Sequence, residues 1–139
     1  MSKVWVERKI GSEILSFETG FIAKQADACI IAQYGETVVL SAMSSGSGRP
    51  GLDFFQLMCD YRERTAAAGK FPGGFIKREG RPSTKETLTS RLTDRPIRPL
   101  FPKGYDREVM CQSTVVASDG LNDADVLAMN GIATGLLIS

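Results

Sequence analysis

One segment limits the folds open to this chain more than any other: residues 123–138 read as a helix that is apolar around almost its whole circumference. Val126, Leu127, Met129, Ile132, Ala133, Leu136 and Leu137 recur there without a continuous polar stripe. A helix of that kind needs cover on more than one side, beyond what a single sheet face provides. It also runs to Ser139 with no glycine cap or polar tail, as expected of a chain cut inside a larger fold. Some other part of the sequence must supply the surface that covers it.

The first sixty residues are suited to that task. Residues 4–10 and 14–17 are short apolar-alternating runs around Gly11-Ser12. Residues 28–33 and 37–43 are β-prone and meet at Tyr34-Gly35, which reads as a hairpin. Phe55, Leu57, Cys59 and Tyr61 alternate with polar or flexible neighbours, the pattern of a half-buried strand. A loop is expected over residues 64–82. Ser83 and Glu86 then stand three apart, the spacing of a capping box, and open a helix expected to run to Asp94. Arg95 precedes Pro96 and is biased out of the helical region, and Pro99 and Pro102 oppose resumption. Residues 109–117 read as another strand, and Asn122 or Asp123 as the cap of the last helix. The fold class is α/β (α+β): a mixed β-sheet with packed helices. At 139 residues this is one domain or part of one.

Charge is distributed unevenly. The chain carries a formal +1, yet residues 62–107 hold twelve of its seventeen Lys and Arg against five of its sixteen Asp and Glu. That segment is +7 and the remainder −6. Polarisation on this scale points to a polyanionic partner, nucleic acid first. The apolar runs are short and interrupted, so no membrane span is expected, and no secretory signal precedes Glu7. Cytoplasmic residence is the default. There is no histidine, which excludes Ser-His and Cys-His nucleophile pairs and histidine metal ligands within these residues. Cys29, Cys59 and Cys111 are odd in number, far apart in sequence and set in apolar strand-like stretches. Buried free thiols are expected, rather than a disulfide or a zinc site.

Several motifs resemble sites without meeting their requirements. Gly46, Gly48 and Gly51 have dinucleotide-fingerprint spacing. That fingerprint needs a helix to begin there, whereas Pro50 and the strand-like residues 52–55 follow. Gly69-Lys70 lacks both the glycine and the Ser or Thr of a phosphate loop. Asp119, Asn122, Asp123 and Asp125 are out of order for a calcium loop and fit the capping of a helix start. Residues 73–83 differ from these. Phe75, Lys77, Arg78 and Arg81 lie among Gly73, Gly74 and Gly80. A ring to stack on a base, with cations beside it to hold phosphates, is the usual equipment for single-stranded nucleic acid. A solvated basic loop with Phe75 folded into the core is the alternative. Arg91, Arg95 and Arg98 recur at helical spacing. They could bind phosphate or RNA, or pair with Glu86, Asp94 and Asp106 as a structural network.

Four stretches carry a family resemblance over nearly all of the chain: FETG (17–20), DFFQL (53–57), YRERTAAAGKFPGGFIKREGRPS (61–83) and RLTDRPIRPLFP (91–102). With them the sequence resembles the first of the two RNase PH-type cores of the polynucleotide phosphorylases. The family's loop usually reads Phe-Phe-Arg-Arg; here it is Phe75-Ile76-Lys77-Arg78. The resemblance implies a homotrimeric ring that degrades RNA from its 3′ end, with inorganic phosphate attacking the terminal phosphodiester to release a nucleoside diphosphate. It implies Mg2+ or Mn2+ as cofactor of the parent enzyme, none of it bound by this chain, and partners in RNA-degradation complexes. The phosphate-binding serines and metal-binding aspartates belong to the second core, followed by KH and S1-type domains. Residues 1–139 would then form an incomplete first core that guides RNA and builds the ring, with Phe75, Lys77, Arg78 and Arg81 as RNA contacts. No catalytic or metal-binding residue is expected in the chain, and it should not phosphorolyse RNA by itself. The alternative is a stand-alone, non-catalytic RNA-binding or assembly module, distinguished by a parent gene that ends at this boundary. A single-core RNase PH enzyme fits the loop and helix less well.

Overall fold

A computed structural model describes residues 3–49, 51–52 and 54–139. Six strands form one mixed sheet: β1 (Val4–Ile10), β2 (Glu13–Thr19), β3 (Ala28–Tyr34), β4 (Thr37–Gly46), β5 (Leu57–Glu63) and β6 (Glu108–Ala117). Their order across the sheet is β1-β2-β3-β4-β6-β5. The first four make an antiparallel meander, β6 returns antiparallel to β4, and β5 lies parallel to β6 at the edge. Tight turns set the meander's register. Gly11 (φ 66°) allows Ile10 to pair with Glu13, and Gly35 (φ 59°) allows Tyr34 to pair with Thr37. A parallel neighbour requires a crossover, and α1 (Thr84–Ile97) provides it between β5 and β6.

Both helices are packed against the sheet. α1 presents Glu86, Thr89, Thr93 and Ile97, one helical face, and packs against β5. α2 (Ala124–Ile138) lies on β3, β4 and β6. Its approach is close because Gly131 and Gly135 face β4: a Cβ at Gly131 would stand 2.7 Å from Ser41 Oγ. Under that contact, the buried hydroxyls of Ser41 and Ser113 bond to each other at 2.7 Å. Ile30, Ala32, Val39, Met43, Cys111, Val115, Leu127 and Ile132 fill the space between helix and sheet.

The fold differs from the sequence reading in several places. α1 does not stop at Asp94. Pro96 sits within its last turn, where its ring removes only one bond, while buried Ile97 anchors the turn and the Arg98 amide donates to Asp94 O. Residues 64–82 include a short 3-10 helix (Thr65–Ala68) closed by Gly69 at φ 66°. The last strand before that loop is Leu57–Glu63, so Phe55 precedes it and joins Phe101 and Tyr105 in a three-ring cluster, with centroids 4.5–5.4 Å apart. The strand-like reading of residues 52–55 is not borne out at Leu52, Phe54 or Phe55; Pro50 and Asp53 lie outside the described residues. α2 is covered on its sheet side, but Val126 and Leu137 on the opposite flank are exposed. Asp123 occupies the N-cap position of α2 without a side-chain cap bond, because Lys85 holds its carboxylate at 3.0 Å.

Candidate nucleic-acid interface

The basic loop begins and ends on fixed points. At its start, the 3-10 helix places the Thr65 amide and hydroxyl against Glu79 Oε1, at 3.1 and 2.9 Å. At its end, the capping box predicted for α1 is present. Ser83 Oγ accepts from the Glu86 amide at 3.1 Å, and Glu86 returns a carboxylate oxygen to the Ser83 amide. The other Glu86 oxygen accepts from the Glu63 amide at 2.9 Å, which ties the helix start to the end of β5. Burial acts against ionisation of this carboxyl. The amides of Ser83 and Glu63 outweigh it and hold the group below its ordinary value.

Between those points the loop carries side chains that the rest of the protein does not use. Phe75 is fully exposed, and Phe71 is 95% exposed. Phe75 is therefore not folded into the core, as the bland alternative would require. Lys77, Arg78 and Arg81 are exposed as well, and none forms an ion pair among the described residues. Gly74 and Lys77 adopt left-handed backbone conformations, at φ 82° and 50°. They turn the chain back on itself at the loop tip. No Cβ at Gly73, Gly74 or Gly80 would meet anything within 4 Å, so these glycines leave backbone open to a partner. Phe71 is the residue that sequence reasoning missed. Its position between Lys70 and Pro72 in a glycine-rich stretch was the available signal.

The acids near this segment are already engaged. Glu63 accepts from Tyr61 Oη at 2.8 Å and pairs with Lys85 at 2.9 Å. Bonds to Glu63 and Asp123 raise the Lys85 ammonium above its ordinary value. Asp94 takes Arg98 at 2.6 and 2.8 Å. Arg98 gives two further donors to the carbonyls of Phe55 and Leu57, at 2.9 and 3.1 Å, so it fastens α1 to the lead-in of β5. This is the structural pairing that the sequence left open for the three arginines. Arg91 and Arg95 differ from it: they lie on the outward face of α1, exposed, with no ion pair among the described residues.

The acidic cluster before α2 has a structural task. Asp119 accepts from the amides of Leu121 and Asn122, both at 2.8 Å, from Asn122 Nδ2 at 2.7 Å and from Thr37 Oγ1 at 3.0 Å. These donors, the Asn122 amide foremost, hold its carboxyl far below the ordinary carboxylate range. No group of three or more Cys, Asp or Glu side chains converges as a metal site among the described residues. The described residues do not fit a divalent-ion centre. No described helix is long and apolar enough to cross a membrane.

Comparison with known proteins adds the family. Residues 14–139 match the 3′ exoribonuclease family, domain 1, of RNase PH. A polyribonucleotide nucleotidyltransferase of Rhodopirellula baltica is 70% identical over 139 residues, all of this chain and 18% of the relative. One from Methylacidiphilum infernorum is 49% identical over 97% of the chain and 19% of its own length. The chain thus spans under one fifth of the length of these relatives. Among solved structures, the Archaeoglobus fulgidus exosome with RNA bound to the active site superposes with a TM-score of 0.68 at 14% identity. That match covers 99% of this chain and 51% of the other, and it shows the fold. With most of its length matched and its mixed sheet and two helices arranged alike, the chain belongs to the 3′ exoribonuclease family and carries the RNase PH fold.

Proposed function

We propose that this chain is part of the first RNase PH-type core of a polyribonucleotide nucleotidyltransferase, and that its own task is to hold and guide single-stranded RNA. The observation that carries this reading is the loop between Gly69 and Ser83. It exposes two phenylalanine rings beside Lys77, Arg78 and Arg81, while Glu79 nearby is bound to Thr65. Rings stack on bases of any identity, and unpaired cations offset backbone phosphates. Arg91 and Arg95 extend the same positive surface along α1.

In the parent protein, inorganic phosphate attacks the 3′-terminal phosphodiester and a nucleoside diphosphate leaves. That step needs a phosphate cradle and carboxylates to hold Mg2+ or Mn2+ against the developing charge. The reading places those groups in a second core outside these residues; Glu63, Glu79, Glu86, Asp94 and Asp119 already serve here as structural acceptors. Assembly as a homotrimeric ring, location in the cytoplasm and association with RNA-degradation partners belong to the same reading. Its support is the likeness to polyribonucleotide nucleotidyltransferases along the whole chain.

Counterion release tests the loop. Binding of a fluorescent oligoadenylate is measured by anisotropy between about 50 and 200 mM KCl. Each phosphate contact with a single strand contributes roughly 0.7 to the slope of log K against log salt. Replacing Lys77, Arg78 and Arg81 together with alanine should flatten the slope by about 2 units. An unchanged slope would return the loop to a solvated surface.

A further inference from the structure

The sequence separates Cys59 and Cys111 by a loop, a helix and half a strand, yet the fold makes them direct partners. They are paired in register across the parallel strands β5 and β6. Neighbouring strands stand about 4.8 Å apart, inside the roughly 4.4–6.8 Å range of Cα separations that a disulfide spans. Both side chains lie on the sheet face toward the helices, and both thiols are free. Cys111 is fully buried. Cys59 is half-buried and lines a groove of about 400 Å³ with Leu57, Met58, Ser90, Arg91 and Asp94, between β5 and α1.

We propose that Cys59 and Cys111 form a two-electron redox modification site, which small disulfides enter through the α1–β5 groove and oxidise to an intramolecular disulfide. The two thiols are close enough to affect each other: the Cys111 thiol, and after it burial, raises Cys59, while the Cys59 thiol lowers Cys111. One ionisation of the pair therefore leaves a single proton shared between two sulfurs. Cys59 is the sulfur that reaches the groove, so it is Cys59 that gives up its proton to solvent and attacks one sulfur of the incoming disulfide, against the direction of its raised thiol and at a correspondingly slow rate. The sulfur–sulfur bond of the small molecule breaks and one small thiolate leaves. Cys111 then gives up its proton, attacks Cys59 Sγ and expels the second small thiolate. Two protein thiols are oxidised, one small disulfide is reduced to two thiols, and the protons pass to the leaving thiolates. Beside Cys59 the Asp94 carboxylate opposes the thiolate and the Arg98 guanidinium paired with it favours the thiolate, so this ion pair gives the attacking sulfur little net help. Cys29 lies on β3, paired with Ala42, and takes no part.

The folded chain is treated with excess glutathione disulfide at about pH 8, a little below the ordinary thiol range. It is then alkylated, weighed intact and mapped by peptide mass spectrometry, with a urea-unfolded sample alongside. The expected product has lost two hydrogens, carries one alkylated thiol at Cys29, and joins the peptides of Cys59 and Cys111. Cys111→Ser should stop at a mixed disulfide on Cys59, and Cys59→Ser should leave Cys111 unmodified. Cys29→Ser should oxidise as the wild type does. If the folded wild type keeps three alkylatable thiols while the unfolded chain oxidises, the proposal fails. It also fails if the bond formed joins two chains or involves Cys29. The wild-type map decides the matter even if a serine variant does not fold.

Discussion

Glu86 connects the scaffold to the loop, and removing it should be costly in a way that can be calculated beforehand. Its side chain is buried and accepts from two amides: Ser83, at the start of α1, and Glu63, at the end of β5. A hydrogen bond to a charged group contributes about 1.5–3 kcal/mol. Ser83 is exposed and its amide can recruit water once the carboxylate is gone, so that bond is lost at a discount. The Glu63 amide is part-buried at the end of β5, and more of its bond is lost. Glu86→Ala should therefore destabilise the chain by about 3 kcal/mol. Glu86→Gln, which keeps one accepting oxygen, should cost roughly half that. With a urea slope of about 1–3 kcal/mol/M, the alanine variant's midpoint should fall by at least about 1 M in circular dichroism titrations at neutral pH. The pH dependence has a defined sign. The folded carboxyl sits below its ordinary value of 4.5, so its contribution is complete above that value and disappears as pH falls through the depressed one. A loss under about 0.5 kcal/mol for Glu86→Ala, in which case the two amides find other partners without cost, would refute the reasoning.

Two other perturbations test the fold at different points. Asp119→Asn should abolish the part of acid stability that comes from this carboxyl. The folded group is held far below 3.8, so wild type should keep an advantage above that pH and lose it only as pH falls further, and the variant's acid-unfolding midpoint should move to higher pH. Gly131→Ala gains about 1 kcal/mol in helix propensity but forces a methyl against Ser41 Oγ, whose bond to Ser113 is buried. Overpacking and the strained bond together exceed that gain, for a net loss of about 1–3 kcal/mol in thermal or urea unfolding.

The strands were legible because period-2 alternation and turn glycines act locally. Gly11 and Gly35 both adopt the left-handed turns that their positions imply. The capping box was legible for the same reason, since its two bonds join residues three apart in sequence. Contacts that depend on tertiary neighbours were harder to read. Pro96 marked a helix end by local steric rules, but buried Ile97 and the Arg98–Asp94 pair extend α1 past it. Asp123 had the right type and place for a cap, but Lys85, thirty-eight residues earlier, competes for its carboxylate. The pairing of Cys59 with Cys111 is a property of the crossover and has no sequence signature. Phe71 was overlooked because exposure, which distinguishes it from Phe55 and Phe101, is decided by the fold.

The division of labour within the basic segment follows from how its acids are used. A cation paired with a carboxylate in the free protein has to break that pair before it can hold a phosphate, which reduces the net gain from binding. Here Glu63, Glu79, Glu86 and Asp94 are each held by scaffold donors. Arg98 and Lys85 are consumed with them, and both stabilise the framework. What remains on the loop and the outer face of α1 is a set of cations without such a competing pair among the described residues, next to two rings that contribute nothing to the core. Burying a phenylalanine would be worth about 1.5–3 kcal/mol to the fold. The chain forgoes that gain twice within five residues, at Phe71 and Phe75, while closing both ends of the same loop with hydrogen bonds. A loop anchored at both ends, with rings and charges directed away from the protein, is organised for contact with something outside it.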